Sequence, residues 1–236
     1  QISEPFTYEY ADGWSNLWEY AYTINYMLFL LLAISLANVF SVEYYRKTDA
    51  IILCSKYGKK QLYFSKILAG ITFSVVSAVL LFIATLLSSV FVYGTNGFHA
   101  ALQLIFPFSS WNISVGGSIL ILFFSLIAIS VVYGCVIMLL SAILKSNVAV
   151  MAVPVGIMIL TMMVDVPYQF RLASQVYDLL PTNLLNTTEL WDDRLICILG
   201  RYFTNFQIAP FLYLVFAVLL ILVGMVIYQR HQVQAR

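Results

Sequence analysis

Residues 20–42 contain no charged side chain and centre on MLFLLLAISLANVF. About 20 apolar residues at 1.5 Å rise each are what a helix needs to cross the ~30 Å hydrocarbon core of a bilayer. The pattern returns at 67–93, 118–144, 148–164 and 210–228. Only 10% of the 236 residues are charged and 62% are hydrophobic. A soluble domain carries roughly 25% charged residues, so this chain has too little polar surface to coat a globule. The expectation is an all-α, polytopic integral membrane protein with five transmembrane helices. Pro154 falls inside the fourth run and reads as a bend rather than a stop, because membrane helices tolerate proline.

Orientation follows from where Lys and Arg lie. The connecting segments are 1–19, 41–66, 94–117, 145–147, 165–209 and 229–236. The second, fourth and sixth hold nine of the twelve basic residues and only two acids, Glu43 and Asp49. The others hold Arg171, Arg194 and Arg201 against nine acids. This predicts a multi-pass protein of the cell membrane with 41–66 and the C-terminus cytoplasmic and residue 1 outside. The opening QISEPFTYEYADGWSNLWEY has neither the basic n-region nor the apolar h-region of a signal peptide. The expectation is that 1–19 ends a larger extracytoplasmic region, that an earlier membrane helix precedes Gln1, and that the full protein crosses six times.

The apolar runs hold no ionisable Asp, Glu, Lys, Arg or His. Proton-coupled transport and intramembrane proteolysis both want such groups at depth, so both lose ground. His99 and His231 lie in connecting segments, and no phosphate-binding glycine loop is present. Cys54, Cys135 and Cys197 have no metal or disulfide spacing. No catalytic or metal site and no nucleic-acid partner are expected, and a net charge of +1 by itself says nothing about nucleic acid. Asn25 and Asn38 read as interhelical hydrogen-bonding groups. Ala33/Ala37 and Ser74/Ala78 have the spacing that lets helices approach closely, without assigning an interface. Asn112-Ile-Ser and Asn186-Thr-Thr fit the glycosylation sequon.

One stretch breaks the apolar rule. SVEYYRKTDAIILCSKYGKKQLYFSK, residues 41–66, carries six of the twelve basic residues. Such a segment can simply fix topology, but 26 residues exceed what a turn between helices needs. Thr48 or Asp49 suits an N-cap, and Tyr57-Gly58 offers a stop with Gly58 able to turn left-handed. Lys59 and Lys60 then open a helix that flows into the next apolar run. The segment reads as a short cytoplasmic helix presenting a cationic surface to a cytosolic partner.

The order of residues here resembles the permease subunit of ABC-2-type exporters. An acid, Glu43, ends a membrane helix; Ile52-Leu53-Cys54-Ser55 forms a short helix; Tyr57-Gly58-Lys59-Lys60 makes a small basic turn; Ser65-Lys66 opens the next helix. Many members have proline where this chain has Tyr57-Gly58. The resemblance implies that the short helix is a coupling helix docked on a cytosolic ABC ATPase subunit, which would bind ATP and Mg. It implies a second permease, identical or related, and a bacterial cell membrane. The docking residues it implies are Glu43, Arg46, Lys47, Thr48, Asp49, Leu53, Lys56, Tyr57, Gly58, Lys59 and Lys60. The cargo would be amphipathic or hydrophobic, a lipid, peptide or antibiotic-like molecule, and the chain itself would not be an enzyme. Segment 165–209 contains PYQFRLASQVYDLLPTNLLN and LICILGRYFTNFQIAP, both amphipathic. They read either as re-entrant helices broken near Pro181 and Asn183 or as helices flat on the outer interface. Two readings from other classes are a membrane scaffold or sensor signalling through the basic loop, and an integral membrane enzyme. The lack of buried ionisable groups counts against the enzyme.

Overall fold

The computed structural model describes residues 12–46, 60–144, 146–164, 166–167, 169–186, 189–191, 195–198 and 200–230. Seven helices appear there: α1 Asp12–Leu36, α2 Asn38–Tyr45, α3 Lys60–Tyr93, α4 Val115–Ile143, α5 Asn147–Met163, α6 Arg171–Asp178 and α7 Asn205–Arg230. Four spans are long and apolar enough to cross a membrane: Gly13–Glu43, which joins α1 to α2, then Lys60–Tyr93, Val115–Ile143 and Asn205–Gln229. The fourth apolar run forms α5, which has only 17 residues, about 25 Å of helix. It continues through Pro154 as the sequence predicts.

α4 is the centre of the bundle. It packs against α7, α3 and α1, and 56% of its most apolar window is buried, against 22% for both α3 and α7. The side chains explain the difference. α4 turns small residues, Ser118, Ser125, Ser130 and Ser141, into the interior, and each lets a neighbouring helix approach closely. Ser74 and Ala78 of α3 and Ala33 and Ala37 are likewise buried, so both small-residue pairs lie at helix contacts. α3 instead points Phe64, Leu68, Val76, Leu80, Leu87 and Phe91 outward. These stand close to a four-residue spacing, which is one face of a helix.

Two features depart from the sequence reading. α1 begins at Asp12, inside the segment assigned to an external tail. Trp14, Leu17, Trp18, Ala21 and Asn25 are buried at the three- and four-residue spacing of an amphipathic helix, while Glu19 is exposed. The second departure is Ile196–Ile198 and Arg201–Phe203, which form two antiparallel strands, β1 and β2, rather than a helix. Gly200 takes φ +78° in the connection, a left-handed conformation that favours glycine and ends a helix. Upstream, PYQFRLASQVYDLLPTNLLN yields α6 followed by turns through 179–186.

That turn region is wedged into the bundle. Asn25 Nδ2 donates to the carbonyls of Pro181 (2.9 Å) and Thr182 (3.4 Å). Tyr213 Oη donates to Leu179 O at 2.9 Å, and Asn183 Nδ2 to Tyr177 O at 3.1 Å. Asn25 thus bonds to a turn and also meets the Tyr133 side chain of α4, while Asn38 is exposed. Near the start of α1, rings interlock edge to face: Trp18 with Phe106 at 5.3 Å and Trp191 at 5.6 Å, and Trp111 with Phe206 at 4.8 Å.

Candidate functional site

The opposite end of the bundle carries the termini of the basic segment. α2 delivers Glu43 and α3 delivers Lys66. Their side chains form an ion pair, with 10% and 20% of each exposed. Lys66 Nζ also donates to Val39 O at 2.6 Å and lies 4.9 Å from the centre of the Phe40 ring. Glu43 Oε2 accepts a long hydrogen bond, 3.4 Å, from Tyr228 Oη on α7. One carboxylate therefore joins three helices.

Aromatic packing thickens this clasp. Phe40, Tyr63 and Tyr228 have ring centres 5.4 to 5.6 Å apart. Tyr63 Oη donates to Ile221 O on α7 at 2.8 Å. Gly224 makes that reach possible, because a Cβ there would stand 2.5 Å from the Tyr63 hydroxyl.

A second joint sits one turn away. The helix is interrupted at Ala37, between α1 and α2. In an unbroken helix the Phe40 and Ser41 N–H groups would bond to carbonyls four residues back. Both also donate to Ser141 Oγ of α4, at 3.0 and 3.1 Å, and that hydroxyl donates to Ala37 O at 2.7 Å. A hydroxyl has one proton and two acceptor lone pairs, and Ser141 uses all three to repair the break. A side chain inserted into the backbone ladder is an established cause of helix bending. Ser41 Oγ lies 2.6 Å from Ala37 O and also touches the Asn147 side-chain oxygen at the start of α5. All five apolar runs meet here.

Among the described residues no three His, Cys, Asp or Glu side chains gather to hold a metal, and Cys135 and Cys197 are free. Exchanging a buried ion pair for apolar residues is often neutral, whereas removing one partner costs about 3–5 kcal/mol.

Of the expected docking residues, Glu43 is turned into the bundle, while Arg46 and Lys60 are exposed. Lys47, Thr48, Asp49, Leu53, Lys56, Tyr57, Gly58 and Lys59 lie outside the described residues. The order acid–helix–turn–lysine flagged both Glu43 and Lys66 in the sequence. Tyr228 and Ser141 went unnoticed: they stand 185 and 98 residues from Glu43, and nothing local marks either. No protein-family model, curated protein or solved structure matches the chain.

Proposed function

We propose that the chain is the membrane-spanning permease subunit of an ATP-driven exporter of the ABC-2 type. It would work with a second permease and with cytosolic ATPase subunits that supply ATP and Mg chemistry. The observation that carries this reading is the clasp. The basic segment leaves the bundle just after Glu43 and returns just before Lys66, and those two side chains are paired. A push on residues 48–58 by a closing ATPase would therefore reach α2, α3 and, through Tyr228, α7 together. Arg46, Lys47, Asp49, Lys56, Lys59 and Lys60 form the docking surface in this reading, and Glu43 anchors it.

The same reading counts five crossings: α1 with α2, then α3, α4, α5 and α7. α5 lies at the short end of the spanning range, about 17 residues. The clasp faces the cytoplasm and the β1–β2 hairpin faces outward. Asn25 precedes Glu43 by 18 residues, about 27 Å of helix. That is close to the ~30 Å hydrocarbon thickness, which in this reading favours a turn at 181–182 near the outer boundary of the membrane core. An interior without charge suits an amphipathic or hydrophobic cargo.

The test is purification of the tagged full-length protein in mild detergent with an assay of ATP turnover. A stoichiometric ATPase that is lost on Lys59→Glu with Lys60→Glu supports the exporter. Purification without any ATPase across several detergents overturns it and leaves the scaffold or sensor.

A further inference from the structure

An open groove of about 890 Å³ runs along α7, away from the clasp. Its floor is one face of the helix, including Ile208, Leu212, Val215 and Leu219, and its roof is Tyr202 and Phe203 of β2. The spacing of three or four residues gives a continuous channel rather than scattered apolar side chains. From Gln207 to Leu219 is 12 residues, about 18 Å of helix. One leaflet of the hydrocarbon core is about 15 Å deep.

Polarity is graded along that length. Tyr202 and Gln207 stand at the hairpin end, and everything below Gln207 on the floor is apolar. Arg201, next to Tyr202, is exposed and makes no ion pair among the described residues. Two polar side chains thus stand at one end of an apolar trough about one leaflet long, and an exposed cation adjoins them in the strand. We infer that this groove is a specific binding site for one anionic phospholipid, its phosphate at Arg201 and an acyl chain along Leu212 to Leu219. The site follows from the membrane reading of the chain and does not depend on export.

The test is photolabelling of the full chain in phosphatidylcholine vesicles doped with phosphatidylglycerol carrying a photoactivatable acyl chain, with the label mapped by mass spectrometry. Label should concentrate on 202–219. Leu212→Trp or Val215→Trp should reduce it there. Both positions are exposed, at 44% and 56%, so the added ring fills the groove instead of the core. Leu80→Trp, on the equally exposed face of α3, should leave the pattern unchanged. Arg201→Gln should lower the preference for phosphatidylglycerol over a phosphatidylcholine probe about fivefold, the worth of one cation near an anionic surface. Even labelling of α3 and α7, or labelling that Val215→Trp does not change, overturns the site in favour of ordinary annular lipid. Disulfide-linked dimers of Val215→Cys that exclude the label overturn it in favour of a second copy of the chain.

Discussion

The two ends of this bundle are fastened by different physics. At the clasp, one carboxylate, one ammonium and a few hydroxyls link α2, α3, α4 and α7, and each contact has a defined partner. At the other end, rings from α1, the 94–114 connection, the turn at 189–191 and the start of α7 pack edge to face. There the indole N–H groups of Trp18, Trp111 and Trp191 are buried with no hydrogen-bond partner among the described residues. Ring packing spreads its energy over many contacts and tolerates an orphaned donor. An ion pair concentrates its energy in two atoms and tolerates nothing. The clasp should therefore be brittle and specific, and the aromatic end strong but degenerate.

The sharpest break of that contrast is Lys66→Met. It strands Glu43 in the bundle and should cost about 3–5 kcal/mol, seen as a lower melting temperature of the purified protein. The double variant with Glu43→Leu should recover most of that loss. A double no more stable than the single would show that the pair does more than set register. Trp18→Ala should come next, at about 3 kcal/mol for a vacated buried ring. Trp18→Phe should cost well under half of that in the same melting experiment, because the indole N–H it removes has no partner among the described residues. If Phe were as damaging as Ala, the aromatic end would not be degenerate.

Ser141→Ala is a milder probe of the clasp end. It removes the acceptor shared by Phe40 and Ser41, and a lost buried partner costs about 1–3 kcal/mol. Amide hydrogen exchange should accelerate at residues 40 and 41 while the rest of α2 stays protected. The smallest effect should follow Asn25→Leu. Hydrogen bonds between membrane segments average about 0.6 kcal/mol, and this one reaches two carbonyls that a leucine cannot. The readout is proteolysis within 179–186, which should quicken with little change in melting temperature.

Legibility divides along the same line as stability. The long apolar helices could be read because each stands out in the sequence as an extended run without charge. Both charged partners of the clasp could be read because they flank a conspicuous segment. The first two turns of α1 went unread because Asp12 and Glu19 suggested a tail, although Trp14, Leu17, Trp18 and Ala21 already repeat with helical spacing. The strands Ile196–Ile198 and Arg201–Phe203 read as helix in the sequence because their apolar residues do not alternate, and only Gly200 hints at a turn. Tyr228 and Ser141 could not be read at all, because their roles arise from tertiary proximity and their own neighbours are ordinary spanning residues.

The repaired break at Ala37 has a geometric consequence. From Ala37 to Arg46 is nine residues, an arm of about 13 Å. A change of about 10° at that pivot swings Arg46 through about 2 Å, by simple leverage on a rigid arm of helical rise. Glu43 lies two-thirds of the way along the arm and holds Lys66, with Tyr228 close behind. The arm cannot swing alone. Small rotations at one serine hydroxyl are geared to the ends of two other helices, and a displacement applied near Arg46 is divided among them.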